Sequence, residues 1–477
     1  MRELKLKPKD FYVYQYKGNN YFYSDCTVPQ ITKLRDESYQ KFINYKETGE
    51  ADIFVEDFVS ERYRDNIEKG LIFEGKPAFD KDLTLGIQLA FNNKCPMNCS
   101  YCFSHSEEFK NKFNNEKDKK ITKKLLKDIF DFFLKRFPNS QLFNYSFNIT
   151  GEPLADFKTL KMFNKLQKKY EKKTNKFFPQ GALTNGLLLD DKIINWLNKN
   201  VPFTGVSFDG TREAQDENRK INNIESSYDR ILPNIKKLLS KNWFIPLGVS
   251  VTITSKNLDI KKLFLHLIDD IGFKVISMKI VRLEEDKDEI ISKNNIDVFF
   301  DRFQEFVDFI LDKTLKGEYR YIKAILNTFD EFGYTLIRIL GNMTSNSCGG
   351  GFWTFGVDIN GDIYPCATFT YLKEFKLGNI YTGFDNAIFN KLLSGTKDHI
   401  TQCKECEFNR YCKTACMYRS LINDGAISKP DEINCAIQKE FIKLGIYFWS
   451  EIFIQNKVAL DELIPYIQKL FQKGKDN

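Results

Sequence analysis

Cys95-Pro96-Met97-Asn98-Cys99-Ser100-Tyr101-Cys102 is the stretch around which the rest of the chain is read. It follows an apolar run that ends at Ala90-Phe91 and supplies three thiols from one loop. Three thiolates on a cubane iron-sulfur cluster leave its fourth iron open to chelate a small molecule, whereas a structural zinc site closes with four ligands. A zinc site with a distant fourth partner is the plainer alternative, and the 3 histidines of the chain offer little for it.

Outward from that loop, apolar strands alternate with amphipathic helices from Leu83 to about Leu283. The strands are Leu85 to Phe91, Tyr145 to Ile149, Gly181 to Leu183, Gly205 to Phe208, Leu247 to Ile253 and Val275 to Val281; Ile121 to Phe137 and Tyr228 to Leu239 read as helices. Strand-then-helix repetition predicts a parallel sheet, either a partial barrel or a doubly wound fold, with its chemistry at the carboxyl ends of the strands. Ahead of it, Phe11-Tyr12-Val13-Tyr14 and Tyr21-Phe22-Tyr23 read as short strands, followed by helical segments around Gln40-Lys41-Phe42 and Glu61-Arg62-Tyr63. Residues 290 to 340 read as two helices. The aromatic-rich tail from Phe441 to Phe471 reads as a covering helix pair.

The 477 residues are 42% hydrophobic and 28% charged, the balance of a chain that can bury a substantial core. A net charge of +7 comes from lysines scattered among acids, as in Asn115-Glu116-Lys117-Asp118-Lys119-Lys120, so solvated helix faces are expected and nucleic acid is not an expected partner. No apolar stretch is long enough to span a bilayer, and Met1-Arg2-Glu3-Leu4-Lys5 does not open a signal peptide; no membrane partner and a cytoplasmic location are expected. In that compartment clustered thiols are more often metal ligands than disulfides. Of the 11 cysteines, only Cys26 stands apart, and it reads as a small, partly buried residue.

The Cys-x3-Cys-x2-Cys spacing with Tyr101 before the last cysteine resembles the signature of the radical S-adenosylmethionine (SAM) superfamily. That family's Gly-Gly-Glu-Pro turn is matched by Thr150-Gly151-Glu152-Pro153, with Thr150 replacing the first glycine. The resemblance implies that Gly151 and Glu152 bind the amino group of SAM, an ammonium that wants anionic and carbonyl acceptors. It extends to Thr184-Asn185-Gly186, to Val206-Ser207-Phe208-Asp209-Gly210 and to Arg219, twelve residues after Ser207. Ser207 and Arg219 would contact the SAM carboxylate; adenine would lie near Tyr101 and the backbone of Ile280 and Val281. The implied SAM-binding set is thus Tyr101, Gly151, Glu152, Thr184, Asn185, Ser207, Asp209 and Arg219.

A second constellation, Cys348, Gly361 with Cys366, Cys403-x2-Cys406-x5-Cys412-x3-Cys416 and Cys435, resembles the SPASM domain. Asp358 to Cys366 reads as a hairpin that delivers a thiol. The resemblance implies two auxiliary 4Fe-4S clusters, an inner one on Cys348, Cys366 and Cys416 and an outer one on Cys403, Cys406, Cys412 and Cys435, for three clusters in all. Thr354 stands where some members have an eighth cysteine, so the inner cluster is expected to keep an open iron. A zinc ribbon on Cys403 to Cys416 is the alternative for those four alone.

The implied fold is a partial (β/α)6 barrel over 83–290, with an N-terminal small α+β leader-recognition-like domain over 1–82, a helical bridge over 291–347, a SPASM domain over 348–440 and C-terminal helices over 441–477. The implied activity is that of an oxidoreductase acting on a peptide: a reduced cluster cleaves SAM to methionine and a 5′-deoxyadenosyl radical, which abstracts a hydrogen, so no classical acid or base is nominated. Expected partners are a precursor peptide whose leader adds to a sheet edge of the first domain and a reductant such as flavodoxin or ferredoxin. Anaerobic sulfatase maturases carry an aspartate after the cysteine equivalent to Cys366, where Ala367 stands here, and begin almost at once with the cysteine loop. Both features count against that reading, and thioether formation between a cysteine sulfur and a peptide carbon is the favoured reaction because the open inner cluster could hold the thiolate. Carbon-carbon cross-linking, then sulfatase maturation, are the alternatives in the same class. A non-catalytic electron-transfer protein is the alternative from another.

Overall fold

The computed structural model describes residues 11–24, 30–50, 55, 84–90, 92, 94–105, 109, 120–147, 149–284, 286–341, 348–370, 372–409, 411–412 and 416–472. The first element is an antiparallel sheet of β1 (Phe11–Tyr16), β2 (Asn19–Ser24) and β3 (Gln30–Leu34), in that order. Lys17 and Gly18 join β1 to β2 with φ of 48° and 68°, the left-handed pair that a two-residue hairpin needs. Helix α1 (Asp36–Thr48) closes the unit by burying Phe42 and Tyr45 against Phe11 and Phe22. β1, β2 and α1 were expected; β3 was not, because Thr32 and Lys33 dilute its apolar pattern. The helix expected around Glu61 to Tyr63 lies outside the described residues.

The six apolar runs all become parallel strands: β4 (Thr84–Leu89), β6 (Leu142–Ser146), β7 (Gln180–Thr184), β8 (Phe203–Ser207), β10 (Gly248–Ile253) and β11 (Val275–Ile280). The second starts three residues earlier than its expected position and ends at Ser146, because the chain turns into the Thr150-Gly151 bend while Phe147 and Ile149 still continue the apolar alternation. Between strands run α2 (Lys123–Arg136), α3 (Phe157–Thr174), α4 (Asp191–Asn200), α5 (Ser227–Leu239) and α6 (Ile260–Leu265). Each starts on a side-chain cap, Thr122, Asp156, Asp190, Ser226 and Asp259 in turn, accepting from a backbone N–H three residues on. Two short strands, β5 (Met97–Cys99) and β9 (Arg219–Ile221), form a separate antiparallel ribbon.

Three helices, not two, follow the barrel: α7 (Ile296–Leu315), a short turn of helix over Arg320–Ile325, and α8 (Glu331–Leu340), with the break at Gly317 in the left-handed region at φ 82°. The second cysteine region then returns to the barrel sheet. β12 (Thr354–Val357) pairs parallel with β4, and β13 (Asp362–Tyr364), β14 (Gly378–Asn379) and β15 (Gly383–Phe384) add antiparallel, giving ten strands in the order β11-β10-β8-β7-β6-β4-β12-β13-β14-β15. The β12–β13 hairpin turns at Gly361, φ 82°, and leads into Cys366, as its sequence suggested. The tail is the expected helix pair, α9 (Glu432–Gln455) and α10 (Val458–Gln472); α9 starts early enough to include Cys435. Among the described residues no helix is long and apolar enough to cross a membrane.

Candidate active site

The cysteine loop leaves β4 at the carboxyl end of the barrel and is stitched there by Asn92, which the motif reading did not single out. Its side-chain N–H donates to the Glu152 carbonyl (3.1 Å), its carbonyl accepts from Thr150 Oγ1 (2.8 Å), and the Glu152 N–H donates to the Lys94 carbonyl (2.8 Å). Gly151 sits between these chains at φ 67°; a Cβ there would lie 2.4 Å from the Asn92 carbonyl oxygen. Only glycine fits so close an approach.

Glu152 is 2% exposed, and its oxygens accept from Thr184 Oγ1 (2.7 Å), Leu154 N (3.1 Å) and Asn185 N (2.8 Å). Burial raises its pKa, while those hydrogen bonds and Arg219 oppose the rise. Asn185 also points its amide toward Cys95 Sγ at 3.8 Å. Thus the structure brings Gly151, Glu152, Thr184 and Asn185 together beside the first thiol.

On the other side of the loop, the β5–β9 ribbon sets Cys99 opposite Arg219, and the Ser100 N–H donates to the Asn218 carbonyl at 2.9 Å. Arg219 Nη1 donates to the Tyr101 oxygen (2.5 Å), and the Tyr101 hydroxyl donates to Asp209 Oδ2 (2.9 Å). Asp209 is fully buried and its other oxygen accepts from Thr252 N (3.1 Å), so both of its oxygens are committed to holding Tyr101 and β10. Burial works against the Arg219 charge, but Tyr101, Cys99 and Asp209 outweigh it and hold its pKa well above the arginine value. Arg219 Nε is buried with no hydrogen-bond partner among the described residues. A buried donor left open in this way is suited to a carboxylate arriving from outside. Ser207 ends β8, two residues before Asp209, half-buried at the mouth of the sheet. Tyr101 packs against Val281, Leu283 and Ile290, which puts the loop after β11 beside it.

None of the ten described cysteines forms a disulfide. Their thiols act on one another in three sets. Burial, then Cys102 and Cys95 among the neighbouring charges, pushes Cys99 up to about 12, against the pull of Arg219. Burial, Cys348 and Cys416 push Cys366 up to about 12. Burial, then Cys412, Cys435 and Cys406, pushes Cys403 up to about 11. Among the described residues no three such side chains converge as closely as one metal ion requires; a tetrahedral zinc site would hold its sulfurs about 3.8 Å apart, whereas a cubane spreads its thiolates over separate irons. The sets of three, three and four thiols fit clusters in donor type and grouping.

Several linking residues carry no motif. Ala367 N donates to Gln88 Oε1 of β4 at 2.7 Å, and the Ala367 side chain is buried with Ala90, Ile149 and Ile359. Arg419, three residues after Cys416 and 2% exposed, pairs with the fully buried Asp431 at 3.0 Å and donates to the carbonyls of Val281 and Ile291. It thereby ties the last barrel loop to the inner cysteine set. Arg282 in that loop pairs with Glu331 at 2.5 Å, and Cys416, Cys348 and Cys366 add to the pull of Glu331 on its charge.

A radical SAM superfamily family model matches residues 89–263. The cysteine-type anaerobic sulfatase-maturating enzyme of Clostridium novyi (strain NT) is 25% identical over 390 residues, which span 77% of this chain and 96% of the relative. The solved structure of native anSMEcpe with bound AdoMet shares the fold at a TM-score of 0.61 and 21% identity, over 79% of this chain and 100% of that one. Streptococcus suis SuiB bound to S-adenosylmethionine follows at 0.50 and 13%, over 90% and 99%. The six parallel strands are the partial barrel of a radical SAM domain, and that domain makes the chain an enzyme similar in sequence to the anaerobic sulfatase maturases.

Proposed function

We propose that this enzyme modifies a peptide by hydrogen abstraction, with three 4Fe-4S clusters, and that its product is a thioether cross-link between a cysteine sulfur and a peptide carbon. The bound SAM and its cluster supply a carbon radical that abstracts hydrogen; everything else falls to this chain's side chains. Cys95, Cys99 and Cys102 hold the first cluster. Glu152, with the Gly151 backbone, receives the SAM ammonium, and Thr184 and Asn185 orient that carboxylate. Arg219 and Ser207 receive the SAM carboxylate, with Tyr101 and Asp209 fixing the guanidinium from behind. The dry wall of Tyr101, Val281, Leu283 and Ile290 keeps water from the reacting carbon. Cys348, Cys366 and Cys416 hold a cluster one thiolate short, where a substrate cysteine can bind, and Cys403, Cys406, Cys412 and Cys435 hold the other.

The observation that carries the choice of reaction is the β1–β2–β3 sheet with α1 ahead of the barrel. Its β3 edge lies at one end of the sheet order, and a peptide leader can add there as a further strand. Sulfatase maturation is a second reading, favoured by the match over 96% of the Clostridium novyi enzyme. Against it, the residue after Cys366 is Ala367, with a buried methyl in place of a carboxylate.

The test is anaerobic incubation of the reconstituted protein with SAM, dithionite and candidate peptides. Loss of a hydrogen pair per cysteine, with no free thiol and no aldehyde, is expected. An aldehyde trapped by a hydrazine reagent on a sulfatase-derived peptide would decide for the second reading. No 5′-deoxyadenosine at full iron loading would remove both.

A further inference from the structure

Helix α8 carries a buried charge with no ion-pair partner among the described residues. Arg338 is 1% exposed; its Nε donates to the Tyr334 carbonyl (3.3 Å) and Nη2 to Thr335 Oγ1 (2.8 Å), both on its own preceding turn. Nη1 has no hydrogen-bond partner among the described residues. A buried guanidinium without a counter-charge is strongly unfavourable, so an anion is expected within its reach.

A second buried cation stands nearby. Lys397 is 6% exposed and donates to the Asn409 carbonyl at 2.7 Å. Asn409 in turn donates through its side chain to the Cys403 carbonyl (2.6 Å) and through its backbone to that of Cys406 (3.0 Å). The ammonium is therefore held within the loop that carries Cys403, Cys406 and Cys412. Helix α8 packs along α9, whose first turns carry Cys435. The Cys412 thiol acts on both charges, and Arg338 acts on Lys397. Asp398 also acts on Lys397, and Arg282, beside the inner set, pairs with Glu331.

We infer that Arg338 and Lys397 are the built-in counter-charges of the four-thiolate cluster on Cys403, Cys406, Cys412 and Cys435, and that they raise its reduction potential. This rests on the cluster assignment proposed above. Four thiolates give such a cluster a net negative charge, and reduction adds one more electron, so fixed cations stabilise the reduced form more than the oxidised one.

The experiment is a potentiometric titration of the reconstituted full-length enzyme with dithionite as electron donor, followed by electron paramagnetic resonance, reading the signal that Cys435→Ala removes. In Arg338→Met the midpoint of that signal is expected to fall by about 59 mV, a tenfold change in the oxidised-to-reduced ratio at fixed potential. Arg338→Lys restores most of the shift, Lys397→Met moves the midpoint the same way, and the other two signals stay in place. An unchanged midpoint in Lys397→Met and Arg338→Met at full iron loading overturns the inference while leaving the cluster assignment intact. Zinc in place of iron on the four thiols, with no such signal in the unsubstituted protein, overturns both. Should Arg338→Met not fold, Lys397→Met and Arg338→Lys decide the matter, since a lysine that keeps the charge keeps the midpoint.

Discussion

At the mouth of the barrel two carboxylates are buried beside Arg219, Glu152 at 2% and Asp209 at 0% exposure, both saturated by backbone and hydroxyl donors. Around the second cysteine region three cations are buried, Arg338 on α8, Lys397 and Arg419, held by carbonyls, a hydroxyl and the carboxylate of Asp431. The two regions share one sheet through β4 and β12, so the contrast does not come from separate cores. On the function proposed above, it follows what each region would receive: an ammonium at the barrel and polyanionic clusters beyond it. Charge buried at such expense is retained where a ligand of opposite sign compensates it.

The largest effect should come from removing the cation that joins the regions. Arg419→Met leaves Asp431 charged, fully buried and short of its partner, and releases the carbonyls of Val281 and Ile291. A loss of about 3 to 5 kcal/mol is expected in chemical denaturation. A change under about 1 kcal/mol would mean that the barrel loop and the Cys416 helix are held together by something else.

Asp330 is a buried carboxylate near Arg338 in sequence that caps α8 by accepting from Gly333 N and also accepts from Met278 N of β11. Burial raises its pKa from 3.8 to about 7. The folded state therefore binds a proton that the unfolded state has released. Its contribution is fully present below about pH 4 and declines as pH rises toward 7, with a slope approaching 1.4 kcal/mol per pH unit. Asp330→Asn should flatten that part of the stability profile, so the gap between the two proteins narrows as pH rises. Parallel profiles from pH 5 to 7 would sink the assignment.

Glu152→Gln tests the anionic side. It keeps the size of the side chain but removes the charge and one of the acceptors now used by Thr184, Leu154 and Asn185. SAM affinity is expected to weaken by about 2 kcal/mol, roughly thirtyfold, with the cluster absorbance unchanged. An unaltered affinity by equilibrium dialysis would remove Glu152 from the SAM site.

Much of this contrast could be read from the chain and part of it could not. The six parallel strands stand out as runs such as Val249-Ser250-Val251-Thr252-Ile253, whose alternate apolar residues are the buried ones. The thiols and Glu152 stand out because spacing carries the chemistry. β12 joining β4 was invisible: the pairing of Thr354 with Gly86 is set by closure of the fold, and no local pattern reports a partner so far away. Asp209 belongs to the implied SAM-binding set, but its hold on Tyr101 and Thr252 was not legible, since Asp-Gly after a strand reads equally well as a turn. Arg338, Lys397 and Arg419 were missed for a related reason. Arginine and lysine are almost always at the surface, so sequence alone assigns them there unless a partner is known.

The smallest expected effect concerns how the first sheet meets the outer thiols. The Tyr12 ring packs edgewise on Phe408, between Cys406 and Cys412, at 4.8 Å, while Lys46 lies over Tyr12 and pairs with Glu407 at 2.9 Å. Tyr12→Ala should cost about 1 kcal/mol or more, from the ring pair together with the buried area it loses. Lys46→Met should cost under about 0.5 kcal/mol, because both members of that ion pair are partly exposed and water already solvates them. Arg338 and Lys397, buried beside the same thiols, lack that solvent, so their charge is screened far less. If Lys46→Met proved as costly as Tyr12→Ala and its effect vanished in high salt, surface charge would be holding the sheet in place, and the difference drawn between exposed and buried cations would narrow.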